Sequence, residues 1–184
     1  MLVAITGASG VQIAVKFLQS LKEKGIDFEL IISKNAETVI DLETNYDLSE
    51  IYKLARKNYD VNDLTAAPAS GSCLIEKMVI VPCSMKTLAA IACGYSDNLI
   101  TRAADVMIKE GRKLILVVRE SPLSAIHLEN MLKLARLGVV IAPPIPSYYI
   151  KPKSIKDIIK NTVGRIFDLL GIETTDIKRW GMTE

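Results

Sequence analysis

Short aliphatic runs alternate with stretches of helical periodicity along most of this chain, a pattern expected of a parallel sheet covered on both faces. Residues 2–5 predict a first strand. After the loop Thr6–Gly10, Ile13, Phe17, Leu18 and Leu21 recur at helical spacing, and Gly25 supplies a stop. Residues 28–32 predict a second strand ending at Ser33-Lys34-Asn35, with a helix over 36–43. A third buried strand is predicted at 78–81, followed by Pro82-Cys83-Ser84-Met85-Lys86-Thr87 and a short helix closed at Gly94. Asp97 or Asn98 can cap a helix from about residue 99 to 109. Residues 114–118 and 139–142 predict the fourth and fifth strands, with a helix over 124–137 between them. Ser154 caps a last long helix that runs to Leu170 and ends at Gly171. Residues 48–73 hold turn residues and short apolar pieces, compatible with a helix and a small strand.

Composition narrows the class. The 184 residues suit one domain with a tail from about residue 172 to 184, and no linker or repeat divides them. Three cysteines at ten-residue spacing (Cys73, Cys83, Cys93) and a single histidine, His127, make neither a disulfide framework nor a zinc site. No metal is expected, and His127, set among apolar helix residues, reads as structural. Charge is nearly balanced, 23 basic against 21 acidic residues, which leaves no footprint for nucleic acid. The N-terminus lacks the pattern of a signal peptide and no apolar run is long enough to span a bilayer, so a cytoplasmic protein is expected. At 49% hydrophobic residues, some helix faces should be buried against further copies of the chain.

In an open parallel sheet, ligands sit beyond the carboxyl ends of the strands. The first such loop, Thr6-Gly7-Ala8-Ser9-Gly10, offers close backbone approach, a hydroxyl and the N–H groups of a helix start, which suit an anion. Gly-x-x-Gly also opens many α/β folds for steric reasons alone. The spacing is not Gly-x-Gly-x-x-Gly, and the second strand ends at Ser33 rather than at an acid for a ribose diol. Glu29 lies inside that strand, badly placed for the role, so a mononucleotide is expected rather than a dinucleotide. After the third strand, Ser84, Met85, Lys86 and Thr87 supply hydroxyls, N–H groups and an ammonium in one turn; an N-capped helix with a solvated lysine has the same signature. Arg119-Glu120 follows the fourth strand, at the same rim.

These loops, with Ala69-Ser70-Gly71-Ser72, Asp97-Asn98-Leu99-Ile100, Arg102-Ala103-Ala104-Asp105-Val106, Arg119-Glu120-Ser121-Pro122 and His127-Leu128-Glu129-Asn130-Met131, closely resemble the flavin prenyltransferases, the UbiX-type proteins. The resemblance runs in family order from Ile5 to Trp180. It implies a three-layer, Rossmann-like (flavodoxin-like) α/β fold. It also implies transfer of a dimethylallyl group from dimethylallyl monophosphate to N5 and C6 of reduced FMN, without a metal. The product, prenylated FMN, would pass to a UbiD-type decarboxylase, and the assembly would be a homododecamer with sites at subunit contacts.

Carried over motif by motif, the resemblance places Gly7, Ala8, Ser9, Ser33, Ser84, Met85, Lys86, Thr87 and Arg119 around the flavin. Arg102, Lys109, Glu120, Tyr149 and Arg165 would surround the prenyl phosphate, and Trp180 would be an aromatic close to the site. Glu43 would carry protons with Ser9, while Glu120 and Tyr149 act on the donor. The chemistry agrees, because a departing phosphate needs cations and hydrogen-bond donors. Arg102 and Lys109 are seven apart and share a helix face, as solvated charges also do. Residues 62–67 and those around Cys73 follow the family only loosely, and Met107 and Met182 have no assigned role. Two other readings are a flavin-dependent cysteine decarboxylase of the same fold and a non-catalytic FMN carrier. The first uses a catalytic histidine early in the chain, where this sequence has none. The second leaves the surplus cations unexplained.

Overall fold

The computed structural model describes residues 1–175 and 177–181; Met182 lies outside the described residues. Six parallel strands form one sheet: β1 (Leu2–Ile5), β2 (Glu29–Ile32), β3 (Lys57–Tyr59), β4 (Lys77–Cys83), β5 (Lys113–Val118) and β6 (Val140–Ile141), in the order β3-β2-β1-β4-β5-β6. Without the three-residue edge strand β3, the order is that of a flavodoxin-like sheet. The helices are α1 (Val11–Glu23), α2 (Lys34–Glu43), α3 (Leu48–Tyr52), α4 (Met85–Cys93), α5 (Leu99–Lys109), α6 (Ala125–Arg136) and α7 (Ile155–Leu170).

Strand alternation divides the core into two layers. Val3 and Ile5 of β1 pack with α1, α2, α3 and α7, while Leu2 and Ala4 pack with α4, α5 and α6. Both faces of β1 are therefore buried, which is why its sequence is a continuous aliphatic run rather than an alternating one. The chain leaves β1 for one face and β4 for the other, so a crevice opens between their carboxyl ends.

Local signals in the sequence placed most boundaries to within two residues. Asn98, Ser124 and Ser154 are N-caps completed by reciprocal hydrogen bonds, and Gly94 and Gly171 take positive φ as C-caps. Helix α2 starts earlier than expected, at Lys34, because the Ser33 hydroxyl accepts from Ala36 N and caps it. Two lysines meet the carboxyl end of α7: Lys77 Nζ donates to the Leu170 carbonyl and Lys113 Nζ to that of Leu169, each at 2.9 Å.

The stretch from 48 to 73 forms α3, β3 and a 3₁₀ turn over Ala67–Ala69. Its anchors are tertiary. Tyr52 OH donates to Glu37 at 3.0 Å, and Tyr59 OH donates to Glu29 at 2.9 Å. Glu29 opens β2 at the amino end of the sheet, far from the rim, and also pairs with Arg56. Loss of solvent, and then the adjoining carboxylate, pushes both phenols up to about 12. A raised phenol contributes stability that is full below its ordinary value of 10 and fades as pH rises toward 12. Urea unfolding should therefore show a midpoint that falls across that window. The fall should be smaller in the Tyr52→Phe/Tyr59→Phe double variant.

Candidate active site

Thr6 joins the two loops at the crevice. Its hydroxyl donates to the Pro82 carbonyl at 2.8 Å and accepts from Ser84 N at 2.8 Å, and its own N–H also donates to Pro82 O. Thr6 is 2% exposed; its bond to Pro82 is made out of water and that from Ser84 N is half-buried. The loop after β1 is thereby fixed against the loop after β4. On its other side it touches the start of α2: a Cβ on Gly7 would stand 2.5 Å from Asn35 Cβ, so only glycine fits without displacing that helix.

Around this junction lie most of the residues expected at a flavin. Gly7, Ala8 and Ser9 are half-buried on the first loop. Ser33 caps α2 and donates its N–H to the Ile5 carbonyl, which ties the end of β2 to β1. Ser84 caps α4, accepting from Thr87 N and donating to the buried Thr87 hydroxyl at 3.1 Å. Met85 is half-buried beside them, and Lys86 is exposed and pairs with Asp97 at 3.2 Å. Arg119 donates its N–H to Cys83 O at the same rim and is exposed. Its guanidinium has no ion pair among the described residues, unlike the other four cations named from the sequence. Glu120 turns back to accept from Ser121 N.

Glu43 qualifies one expectation. Two of the N–H groups at the amino end of α1, those of Gly10 and Val11, are already engaged. Glu43 Oε2 accepts from Gly10 N at 2.8 Å and Val11 N at 3.3 Å, so a carboxylate from the end of α2 already fills the positive end of that helix. This places Glu43 at the residue next to Ser9, through a contact that spacing alone does not show.

The residues expected around a prenyl phosphate fall into three groups within one chain. Arg102, in the first turn of α5, donates to Ala69 O at 3.0 Å and pairs with Asp105 at 2.8 Å. Lys109 ends α5 and pairs with Glu110 at 2.5 Å, near the amino end of the sheet where Lys113 aligns with Lys77. Glu120 lies beyond the opposite end of β5, about 20 Å away at the rise of six strand residues. Tyr149, Arg165 and Trp180 form a third group at α7 and the tail, with Tyr149 and Trp180 edge to face at 5.3 Å. Arg165 pairs with Asp168, whose carboxyl is held below its ordinary range by hydrogen bonds from Arg179 and then Arg165, against the opposing effect of burial.

The remaining candidates are accounted for structurally. His127 Nδ1 accepts from Ser124 N in the cap of α6. Burial pushes the Cys83 thiol up, which keeps it inert. Met107 is a core residue. Thr6 and Arg112 were missed as site-building residues. Arg112 gathers the carbonyls of Gly71, Cys73 and Ile75 and so shapes the loop before β4. A buried threonine ending a strand was a readable signal; an arginine three carbonyls deep was not.

A family model described as Flavoprotein matches residues 1–167, and the chain belongs to that family. The flavin prenyltransferase UbiX of Methanocaldococcus jannaschii is 52% identical over 180 residues, covering 98% of this chain and 97% of its own. The crystal structure of AnUbiX (PadA1) in complex with FMN and dimethylallyl pyrophosphate superposes with a TM-score of 0.96 at 49% identity, over 100% of this chain and 97% of that one. A dodecameric FMN-dependent UbiX-like decarboxylase from Escherichia coli O157:H7 gives 0.94 at 45% identity, over 99% and 100%. Within the flavoproteins, the chain is a member of the flavin prenyltransferase family.

The Thr6 junction makes a direct prediction. Thr6→Val preserves shape but leaves the half-buried Ser84 N without its acceptor, which should cost about 1 kcal/mol in urea unfolding. Thr6→Ser keeps the hydroxyl and should restore most of the loss.

Proposed function

We propose that this chain transfers the dimethylallyl group of dimethylallyl monophosphate to N5 and C6 of reduced FMN, making prenylated FMN for a UbiD-type decarboxylase in the cytoplasm. The carrying observation is the rim itself: two loops locked by Thr6, opened by Gly7, and faced by an Arg119 without an ion pair among the described residues. Identity near one half to flavin prenyltransferases over almost the whole chain supports the reaction. All 184 residues act as one flavoprotein domain with a tail from about residue 172.

Gly7, Ala8, Ser9, Ser33, Ser84, Met85, Lys86, Thr87 and Arg119 bind FMN in this reading. The rim fits a single phosphate and a flat ring: it offers backbone close to the crevice, hydroxyls from three loops and one available guanidinium. Bound reduced FMN supplies the nucleophilic N5 and C6. Breaking the allylic C–O bond puts charge on the departing phosphate, and Arg102, Lys109 and Arg165 neutralise it while Tyr149 donates a hydrogen bond. Each of those cations is paired with a carboxylate in the free chain, so the donor's phosphate replaces Asp105, Glu110 or Asp168. Trp180 flanks the allyl group.

These groups converge only if several copies contribute, which supports a homododecamer with sites at subunit contacts. Ile126, Leu128 and Leu132 on α6, with Leu137 just after it, are exposed in one chain and supply apolar surface for such contacts. Closing the ring onto C6 needs one proton delivered to the alkene of the N5 adduct and one taken from C6: the released phosphate beside Glu120 delivers the first, and Glu43 with Ser9 takes the second.

Incubating the protein with reduced FMN and dimethylallyl monophosphate tests the reading. Prenylated FMN should form and inorganic phosphate should appear in equal amount. FMN binding with the donor left intact would make the protein a carrier, and decarboxylation of a C-terminal cysteine would make it the other enzyme of this fold. Glu43→Gln retains an oxygen to cap α1, so folding should survive. Bond formation at C6, read by absorbance, should lag behind bond formation at N5.

A further inference from the structure

Beyond Gly171 the chain turns back along the helix it has just left. Ile172 N donates to the Phe167 carbonyl, and Ile177 lies directly on Gly164, where any Cβ would collide with Ile177 Cγ2. One turn further along, Asp168 receives two guanidiniums. Arg179 makes a fork, Nη1 to Oδ2 at 2.9 Å and Nη2 to Oδ1 at 2.8 Å, and adds a bond to the Thr174 carbonyl. Arg165 makes a single bond, Nη1 to Oδ2 at 2.6 Å. The residue after Arg179 is Trp180, edge to face with Tyr149. Trp180 is 79% exposed and Tyr149 is 40% exposed, so burial within the chain does not hold this aromatic pair. Within the chain, the fork one residue away is the contact that ties this part of the tail to α7.

We propose that Arg179, acting through Asp168, is a positioning residue for prenyl transfer: it latches the tail so that Trp180 stands against Tyr149, and it remains on Asp168 when Arg165 turns to the donor's phosphate. A partly exposed ion pair adds little stability, so its use here is geometric. A planar fork fixes orientation in a way that a point charge cannot. The asymmetry at Asp168 sets which arginine can leave. Arg165 has one bond to give up and the more exposed side chain, whereas Arg179 has two bonds to Asp168 and a third to Thr174 O. With Arg179 in place, Asp168 keeps a counter-ion after Arg165 departs. Without it, drawing Arg165 away would strand a carboxylate that is only 17% exposed.

This inference rests on the reading that Tyr149, Arg165 and Trp180 face the prenyl donor. Trp180 is the only tryptophan in the chain, so its fluorescence reports the latch without any turnover. In the full-length assembled protein, Arg179→Ala should show faster local depolarisation of Trp180. Its kcat/KM for dimethylallyl monophosphate should fall about tenfold or more, as expected for a misplaced reacting group, with FMN Kd within about twofold of wild type. Arg179→Lys keeps the charge but not the fork, so it should recover part of kcat/KM while Trp180 stays loose. Gly164→Ala, which lifts Ile177 while leaving Asp168 intact, should loosen Trp180 as well and keeps the test open if Arg179→Ala does not assemble. Unchanged Trp180 anisotropy in these variants overturns the latch. A loss of FMN affinity equal to the loss in kcat/KM would make Arg179 a general structural residue and overturn the positioning role. If the wild type forms no prenylated FMN, the functional reading fails while the anisotropy still decides the latch.

Discussion

The hydroxyl of Thr6 is the constraint on which the rim depends. It gives one hydrogen bond to Pro82 at the end of β4, out of water, and takes another, half-buried, from Ser84 in the loop that follows. A parallel sheet joins its strands side by side but leaves the loops beyond their ends free to diverge, and at this crevice the chain departs to opposite faces of the sheet. Without a cross-link, the two loops would be positioned only by their own helices. With it, Ser9, Ser84 and the start of α4 are parts of one surface. Gly7 adds the second restraint by allowing that surface to press on α2.

Electrostatics among the candidate site residues, at the rim and away from it, are arranged around pairs formed in advance. The positive end of α1 is occupied by Glu43, and Lys86, Arg102, Lys109 and Arg165 each hold a carboxylate. Exposed pairs of this kind contribute little to stability and exchange readily for a better anion. A dianionic phosphate that meets several cations at once is such an anion. The paired state therefore gives each cation a counter-ion in the free chain while leaving it available. Arg119 differs in having no ion pair to exchange among the described residues.

The sequence displayed the sheet well because its strands are buried on both faces and read as uninterrupted aliphatic runs, and because Asn98, Ser124, Ser154, Gly94 and Gly171 mark helix ends by local chemistry. Residues 48–73 were opaque for the opposite reason. Their short α3 and β3 are held by Tyr52–Glu37 and Tyr59–Glu29, contacts 15 and 30 residues apart that no local pattern encodes. The rim residues Gly7, Ser9, Ser33, Ser84 and Arg119 were legible as rim residues from their place after strand ends. The grip of Glu43 on α1 was not, since it joins positions 33 residues apart. Nor was the separation of Lys109 from Glu120, because a shared helix face gives no information on which end of the sheet that face meets.

The central claim is that the locked rim is a mononucleotide site. Equilibrium titration of the protein with FMN and, separately, with NAD measures it most directly, by ultraviolet–visible absorbance for the flavin and by competition for the dinucleotide. The account predicts saturable binding of one FMN per chain, with NAD unable to displace it. Saturable NAD binding in a protein that takes up no FMN would contradict it.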